Sequence, residues 1–161
     1  MFEKKPIKLD LLHKIKAEWI DYNGHMNVAY YLLAFDEAID EINQKLGLGP
    51  NYKKQTNKST FALECHIIWL DELKLNETIS FDIQLIDHDR KRIHFFVKMM
   101  NEKKNILAAT YEVLLMHMDL NTKKSCDFPE NVEAKIKLIM KYQKNLSAPK
   151  GLGSIVGIRR K

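Results

Sequence analysis

The spacing of apolar residues changes several times along the chain, and each change marks an element. Between Ile7 and Trp19 the apolar positions alternate with polar ones: Ile7, Leu9 and Leu11, then Ile15, Ala17 and Trp19. A period of two predicts an extended entry segment. The stretch Asp21-Tyr-Asn-Gly-His-Met-Asn27 is rich in turn formers, and Asn27 suits the N-cap of whatever follows. From Val28 to Leu46 the apolar residues fall at Val28, Leu32, Phe35, Ile39, Ile42 and Leu46. Steps of four and three describe one stripe along a helix. Asp36, Glu37, Asp40 and Glu41 lie largely off that stripe, and Gly47, Gly49 and Pro50 stop the helix. Residues 50 to 58 read as a polar excursion.

Strands dominate after that. Phe61, Leu63, Cys65, Ile67 and Trp69 alternate with Ala62, Glu64, His66 and Ile68. Ile79, Phe81, Ile83 and Leu85 form a second such run, and Ile93, Phe95, Val97 and Met99 a third. Ile106 to Met118 is apolar on both faces, as expected of a central strand covered twice. Asp87–Lys91 and Asn101–Asn105 read as hairpin connections. Glu130 to Lys144 reads as a C-terminal helix with a basic tail after it. Short connections make the later strands antiparallel. The predicted class is α+β: one domain over residues 1–161, with a long helix wrapped by an antiparallel sheet of about five strands. One helix covers one face of a sheet. The second apolar face of the central strand therefore predicts a homodimer at least, or a tetramer of such dimers.

Composition narrows the function. The 161 residues are 45% apolar and 29% charged, with no run of about 18 apolar residues, so no membrane span is expected. The first residues, Met1-Phe-Glu-Lys-Lys5, lack the apolar core of a signal peptide, which predicts a cytoplasmic protein. Cys65 and Cys126 have no metal-ligand spacing, so neither a disulfide nor a metal is expected. The net charge of +5 is spread over scattered lysines rather than gathered with aromatics. That argues against nucleic acid and fits a small phosphorylated ligand. Phosphate loops, nucleophile elbows and zinc clusters are absent, and Gly151–Gly157 has the wrong spacing for a dinucleotide loop.

The segment Trp19–Asp36 resembles the opening of the 4-hydroxybenzoyl-CoA thioesterase-like group, which has the hotdog fold. In that group an Asp stands three residues before a Gly-His-x-Asn element at the start of the long helix. Here those residues are Asp21, Gly24, His25 and Asn27. Phe61–His66, Leu85–Asp89, Ala108–Glu112 and Leu114–Leu120 look closer to the betainyl-CoA thioesterase branch, which also occurs fused to carnitine dehydrogenase. This chain resembles the stand-alone form. The resemblance implies hydrolysis of an acyl-CoA thioester, with coenzyme A arriving as part of the substrate and no cofactor besides.

Thioester hydrolysis needs a nucleophile at the carbonyl carbon and donors for the developing oxyanion. Asp21 matches the family carboxylate, as nucleophile or as general base on water; as an isolated turn residue it equally fits local bonding to amides. Donors are expected at the helix N-terminus, near Val28 by resemblance. Gly24 permits a tight turn or close approach, His25 a positioning role, and Asn27 a cap. For the acyl group, Glu64 and His66 share one strand face. A trimethylammonium substrate would find a carboxylate in Glu64 and aromatic faces in Tyr30, Tyr31 or Trp69, although Trp69 alternates onto the face opposite Glu64. Arg90, Lys91 and Arg92, beside His88 at a hairpin tip, are candidates for coenzyme A phosphates, as are Arg159, Arg160 and Lys161. Two rival readings are weaker. Hotdog hydratases carry an Asp-x-Asn-Pro-x-His element, and Asp21-Tyr-Asn-Gly-His25 lacks the Pro and has its His one residue early. A non-catalytic acyl-CoA-binding module would need the pocket but not Asp21.

Overall fold

The computed structural model describes residues 5–158. The helical stripe becomes α1 (Val28–Leu46). Asn27 caps it, its Oδ1 accepting from Ala29 N at 3.0 Å, and Gly47 ends it in the left-handed region at φ 96°. The buried side of α1 carries Tyr31, Ala34, Phe35, Ala38 and Ile42. Val28 and Leu32, the first two members of the predicted stripe, are instead exposed.

Five antiparallel strands curl around this helix: β1 (Ile7–Lys14), β2 (Lys58–Trp69), β3 (Thr78–His88), β4 (Arg92–Asn101) and β5 (Ile106–Asp119). Their order across the sheet is β1-β3-β4-β5-β2, and the two-residue β6 (Lys124–Ser125) hooks onto β5. This is the hotdog arrangement. Ile79, Phe81, Ile83, Ile93, Phe95 and Val97 are wholly buried where alternation aimed them at the helix. Phe35 of α1 stacks on Tyr111 with ring centres 5.0 Å apart and meets Phe81 edge-on at 6.0 Å.

Several sequence expectations change. The entry strand stops at Lys14, and Ala17–Trp19 form a 3-10 turn that carries Trp19 into the core. Residues 50–56 are a short helix, α2, with Pro50 preset for its first turn. Its residues Asn51–Thr56 are almost all polar, so no apolar period announced it. The alternation of β2 slips at a bulge: Ala62 stands opposite Leu115, while Glu64 stands opposite Leu114. Leu63 is the extra residue, so Ala62 and Cys65 share the helix face, and Phe61 and Glu64 the outer one.

The argument for a second subunit from β5's outer face also changes. Residues 147–154 run back across part of that face. Gly153 N donates to Glu112 Oε2 at 2.8 Å, and Gln84 Nε2 donates to Ser147 O at 3.4 Å. A Cβ added at Gly151 would lie 3.2 Å from the Ile68 side chain, so the strap is seated closely, and Phe96 beneath it is buried. The chain itself covers part of this face, while Ile155, Val156 and Ile158 stay exposed.

The helix α3 (Glu130–Gln143) completes an edge. Beyond Ile83, β3 has no further partner from β1, and Gln143 stands in for the missing strand. Its Oε1 accepts from Leu85 N at 2.8 Å, and its Nε2 reaches Lys5 O and Ile83 O at 3.3 and 3.5 Å. Among the described residues no helix is long and apolar enough to cross a membrane.

Candidate active site

The turn before α1 is a three-residue hairpin. Gly24 N donates to Asp21 O at 3.0 Å, and Asp21 N donates to His25 O at 2.9 Å. Such a closure needs a left-handed residue at its fourth position, and Gly24 supplies it at φ 79°. The two legs are tied by the Ile20–Met26 bridge and by Asn27 N donating to Trp19 O at 2.8 Å. Asp21 therefore stands beside the start of α1 because a short, closed piece of backbone puts it there.

Half-buried Asp21 spends one oxygen on the turn, Oδ1 accepting from Asn23 N at 2.8 Å. The local turn role and a chemical role are thus compatible, since Oδ2 makes no hydrogen bond among the described residues. At the helix start the donors are unevenly used. Ala29 N is held by the Asn27 side chain and Tyr30 N by the Asn27 carbonyl at 3.0 Å. Val28 N–H has no acceptor among the described residues. An unspent amide at the positive end of a helix is a ready donor to a carbonyl oxygen.

A second loop, residues 70–77, forms the other wall. Met26 N donates to Leu73 O at 2.8 Å, and Leu73 is wholly buried. His25 Nε2 pairs with Glu72 Oε2 at 2.9 Å. The Tyr31 hydroxyl donates to Asp71 O at 3.4 Å, and burial, ahead of the neighbouring acids, pushes its pKa up to about 12. Glu72 was not singled out in the sequence. Nothing in the spacing of Asp71-Glu-Leu-Lys74 signals that its loop folds back onto the Asp21 hairpin.

The structure brings together Asp21, Gly24, His25, Asn27 and Val28, with Trp19 and Tyr30 behind them. The Tyr30 ring stacks on Trp19 at 5.5 Å and 15°. Tyr31 is buried at 3% exposure, so its face belongs to the core rather than to an open cage. Trp69 is half exposed on the helix face at the end of β2. Glu64 and His66 are elsewhere: they lie on the outer face of the sheet. There they line a cleft of about 410 Å³ with His94, Glu112 and the strap residues Gly153–Ile155. In that cleft His94 Nε2 lies 2.9 Å from Glu112 Oε1. Within one protomer these two residues are across the sheet from Asp21.

The basic hairpin is also distant. Arg92 pairs with Met116 of β5, whereas Leu70, at the candidate site, bonds to Ala108 O. Eight residues of strand separate those points, about 27 Å. The hairpin's charges are partly answered as well. Arg90 and Lys91 approach Asp127 at 3.4 and 4.0 Å, and Arg92 Nε donates to Asp89 at 2.7 Å. Arg92 and the local amides hold the Asp89 carboxyl down to about 2. Arg159, Arg160 and Lys161 fall outside the described residues.

Comparison with known proteins identifies the family. A model of the thioesterase-like superfamily matches residues 15–136. Betainyl-CoA thioesterase of Pseudomonas aeruginosa is 33% identical over 144 residues, covering 89% of this chain and 91% of that one. The L-carnitine dehydrogenase/betainyl-CoA thioesterase of Rhizobium meliloti is 36% identical over 147 residues, 91% of this chain but 29% of that longer protein. A Staphylococcus aureus protein solved in complex with CoA superposes with a TM-score of 0.89 at 29% identity, covering 96% of this chain and 98% of that one. The family match and the whole-chain likeness settle the family: the chain belongs to the thioesterase-like superfamily, as an acyl-CoA thioesterase.

Proposed function

We propose that the substrate is betainyl-CoA or a closely similar short acyl-CoA, and that Asp21 is the catalytic carboxylate. One observation carries the assignment: among the described residues the Val28 N–H and the second oxygen of Asp21 both lack a hydrogen-bond partner, and the closed Asp21 hairpin leads directly into the helix that Val28 begins. With the thioester oxygen on Val28 N–H, the carbonyl carbon is polarised without any charged side chain. Asp21 then takes a proton from water as the water oxygen bonds to that carbon. The C–S bond breaks, coenzyme A leaves as the thiol, and the acyl group leaves as its acid. In the alternative order the carboxylate itself attacks, and water opens the resulting mixed anhydride. His25, braced by Glu72, positions the loop or the substrate. Kinship with betainyl-CoA thioesterases supports the acyl group.

We further propose a homodimer formed through β2. This edge strand has a free flank and half-exposed Phe61, Leu63 and Trp69. Arg90, Lys91 and Arg92 are proposed to reach coenzyme A phosphates, which would displace Asp127 and Asp89 from them. The two cysteines are free thiols, which suits the reducing cytoplasm.

The test is thiol release from a panel of acyl-CoAs by wild type, Asp21→Asn and Asp21→Ala. Rapid wild-type release, lowered by about 10³-fold or more in both folded variants, is the expected outcome. Variants as active as wild type would remove Asp21 from the chemistry. Tight binding without release from any substrate would favour a non-catalytic acyl-CoA-binding module.

A further inference from the structure

The helix α1 carries four acids in two rows. Glu37 and Glu41 lie on the flank toward β1, and both are occupied. Glu37 Oε2 is 2.7 Å from His13 Nε2. Glu41 accepts from the Asp10 and Leu11 amides at 3.0 Å each and meets Lys45 at 3.2 Å. Asp36 and Asp40 lie on the opposite flank, one turn apart, toward the free edge at β2. Among the described residues neither has an ion-pair partner. Two like charges at this spacing repel, and no ion pair among the described residues compensates them. Burial, together with Asp36 and Glu37, raises the Asp40 pKa above its ordinary value.

Both carboxylates border a cleft of about 340 Å³ between α1 and β2. Asn43, one turn beyond Asp40, lines the same cleft and is 5% exposed. Its Nδ2 donates to Thr60 Oγ1 at 3.0 Å, but its buried Oδ1 has no partner. A buried acceptor without a donor costs free energy unless a ligand or ordered water answers it. Tyr111 supplies an aromatic part of the wall. The cation on the rim, Lys53 of α2, pairs with neither acid. Unpaired carboxylates and an unanswered carbonyl supply negative charge, and the apolar lining supplies contacts for methyl groups, which together suit a compact cation that carries methyls.

We propose that this cleft is the specificity subsite for the charged end of the acyl group, with Asp36 and Asp40 holding a quaternary ammonium. The assignment rests on the proposed reading of the protein as a thioesterase for such a substrate, and it moves the charge recognition from Glu64 to α1. Reach adds a condition. Asp36 lies eight residues along α1 from Val28, about 12 Å of helix rise. A two-carbon acyl group spans well under half of that. The thioester carbonyl of an acyl group seated here is therefore served by the Asp21 hairpin of a second copy.

The test compares two isosteric substrates, trimethylammonioacetyl-CoA and 3,3-dimethylbutanoyl-CoA, which differ only in N⁺ against C. Full-length wild type, Asp36→Asn, Asp40→Asn and the double variant are assayed for kcat/KM on both. Wild type is expected to prefer the cation by at least about tenfold, and the double variant to fall to near parity. The neutral substrate should be cleaved at a rate within about twofold of wild type by every variant, which also shows that they are folded. Calorimetry with tetramethylammonium alone should show binding to wild type and none to the double variant. Equal losses on both substrates, or a cation preference that survives the double substitution, would overturn the subsite. Wild type cleaving the neutral isostere as well as the cation would sink the subsite but leave the thioesterase. Failure to cleave either would sink the underlying reading as well.

Discussion

Asp21 shows how one side chain can hold a turn and still keep an oxygen for the chemistry proposed for it. Its Oδ1 stiffens the turn through Asn23 N, which orients the second oxygen. These local features were legible in the sequence because they act over six or seven residues: an Asp that starts a turn, a Gly where the backbone must go left-handed, an Asn that caps. Glu72, Glu112 and the unpaired state of Asp36 were not legible. Each depends on which distant residue the fold brings alongside. His117 is another such case. It is wholly buried, with Nδ1 at 3.1 Å from the carbonyls of Cys126 and Asp127 and Nε2 at 3.0 Å from the Tyr52 hydroxyl. Two acceptors at Nδ1 fix the proton there, so Nε2 accepts from Tyr52. Burial holds its pKa below the ordinary value and outweighs the two carbonyls, which act the other way. A lowered histidine pKa means the unfolded chain binds the proton more readily. The stability this group contributes is full above about pH 6.5 and is lost as the pH falls below it. Urea midpoints measured from pH 8 to pH 5.5 should decline below that point. The decline should be shallower in His117→Gln, and parallel curves would exclude His117 as its source.

At the scale of elements, periodicity located α1 to the residue and β3, β4 and β5 nearly so. It failed where an element has no apolar face, as in α2, and where a strand miscounts, as at the Leu63 bulge. Bulges are invisible to an alternation rule because they conserve composition while reversing which face each later residue meets. The Gln143 contact carries a similar lesson. Polar and near the end of an amphipathic helix, it reads as surface, yet its amide replaces a strand where β1 falls short. Gln143→Leu leaves Leu85 N–H and the Ile83 carbonyl without that partner. A loss of about 1–3 kcal/mol in urea-induced unfolding is expected, with kcat/KM unchanged because α3 is remote from the Asp21 hairpin. Unchanged stability would mean that water satisfies this edge as well as the glutamine does.

For the whole molecule, the sequence argument for association aimed at β5's outer face, part of which residues 147–154 occupy, and the proposed dimer uses the flank of β2 instead. The surface left open is the flank of β2, next to the Asp36–Asp40 cleft. The helix reach requires each cleft to work with the hairpin of another copy, and mixing subunits checks that directly. A purified mixed dimer, one copy Asp21→Ala and the other Asp36→Asn with Asp40→Asn, contains one intact combination of the two sites. It should recover about half of wild-type activity on the cationic substrate. Activity no higher than that of the doubly substituted protein alone would place both halves of the site in one copy.

The strand order has a consequence for synthesis. β2 is made early, yet its partner inside the chain is β5, made after β3 and β4. While the ribosome extends the chain through both hairpins, Lys58–Trp69 hangs from it as an unpaired, half-apolar ribbon. Until Ile106–Asp119 emerges, only chaperones or a neighbouring nascent copy can shield it. The surface proposed to unite two finished molecules is also the one most exposed to premature encounters on a crowded polysome. Slower translation after β2 should therefore raise the aggregated fraction without altering the stability of the molecules that escape.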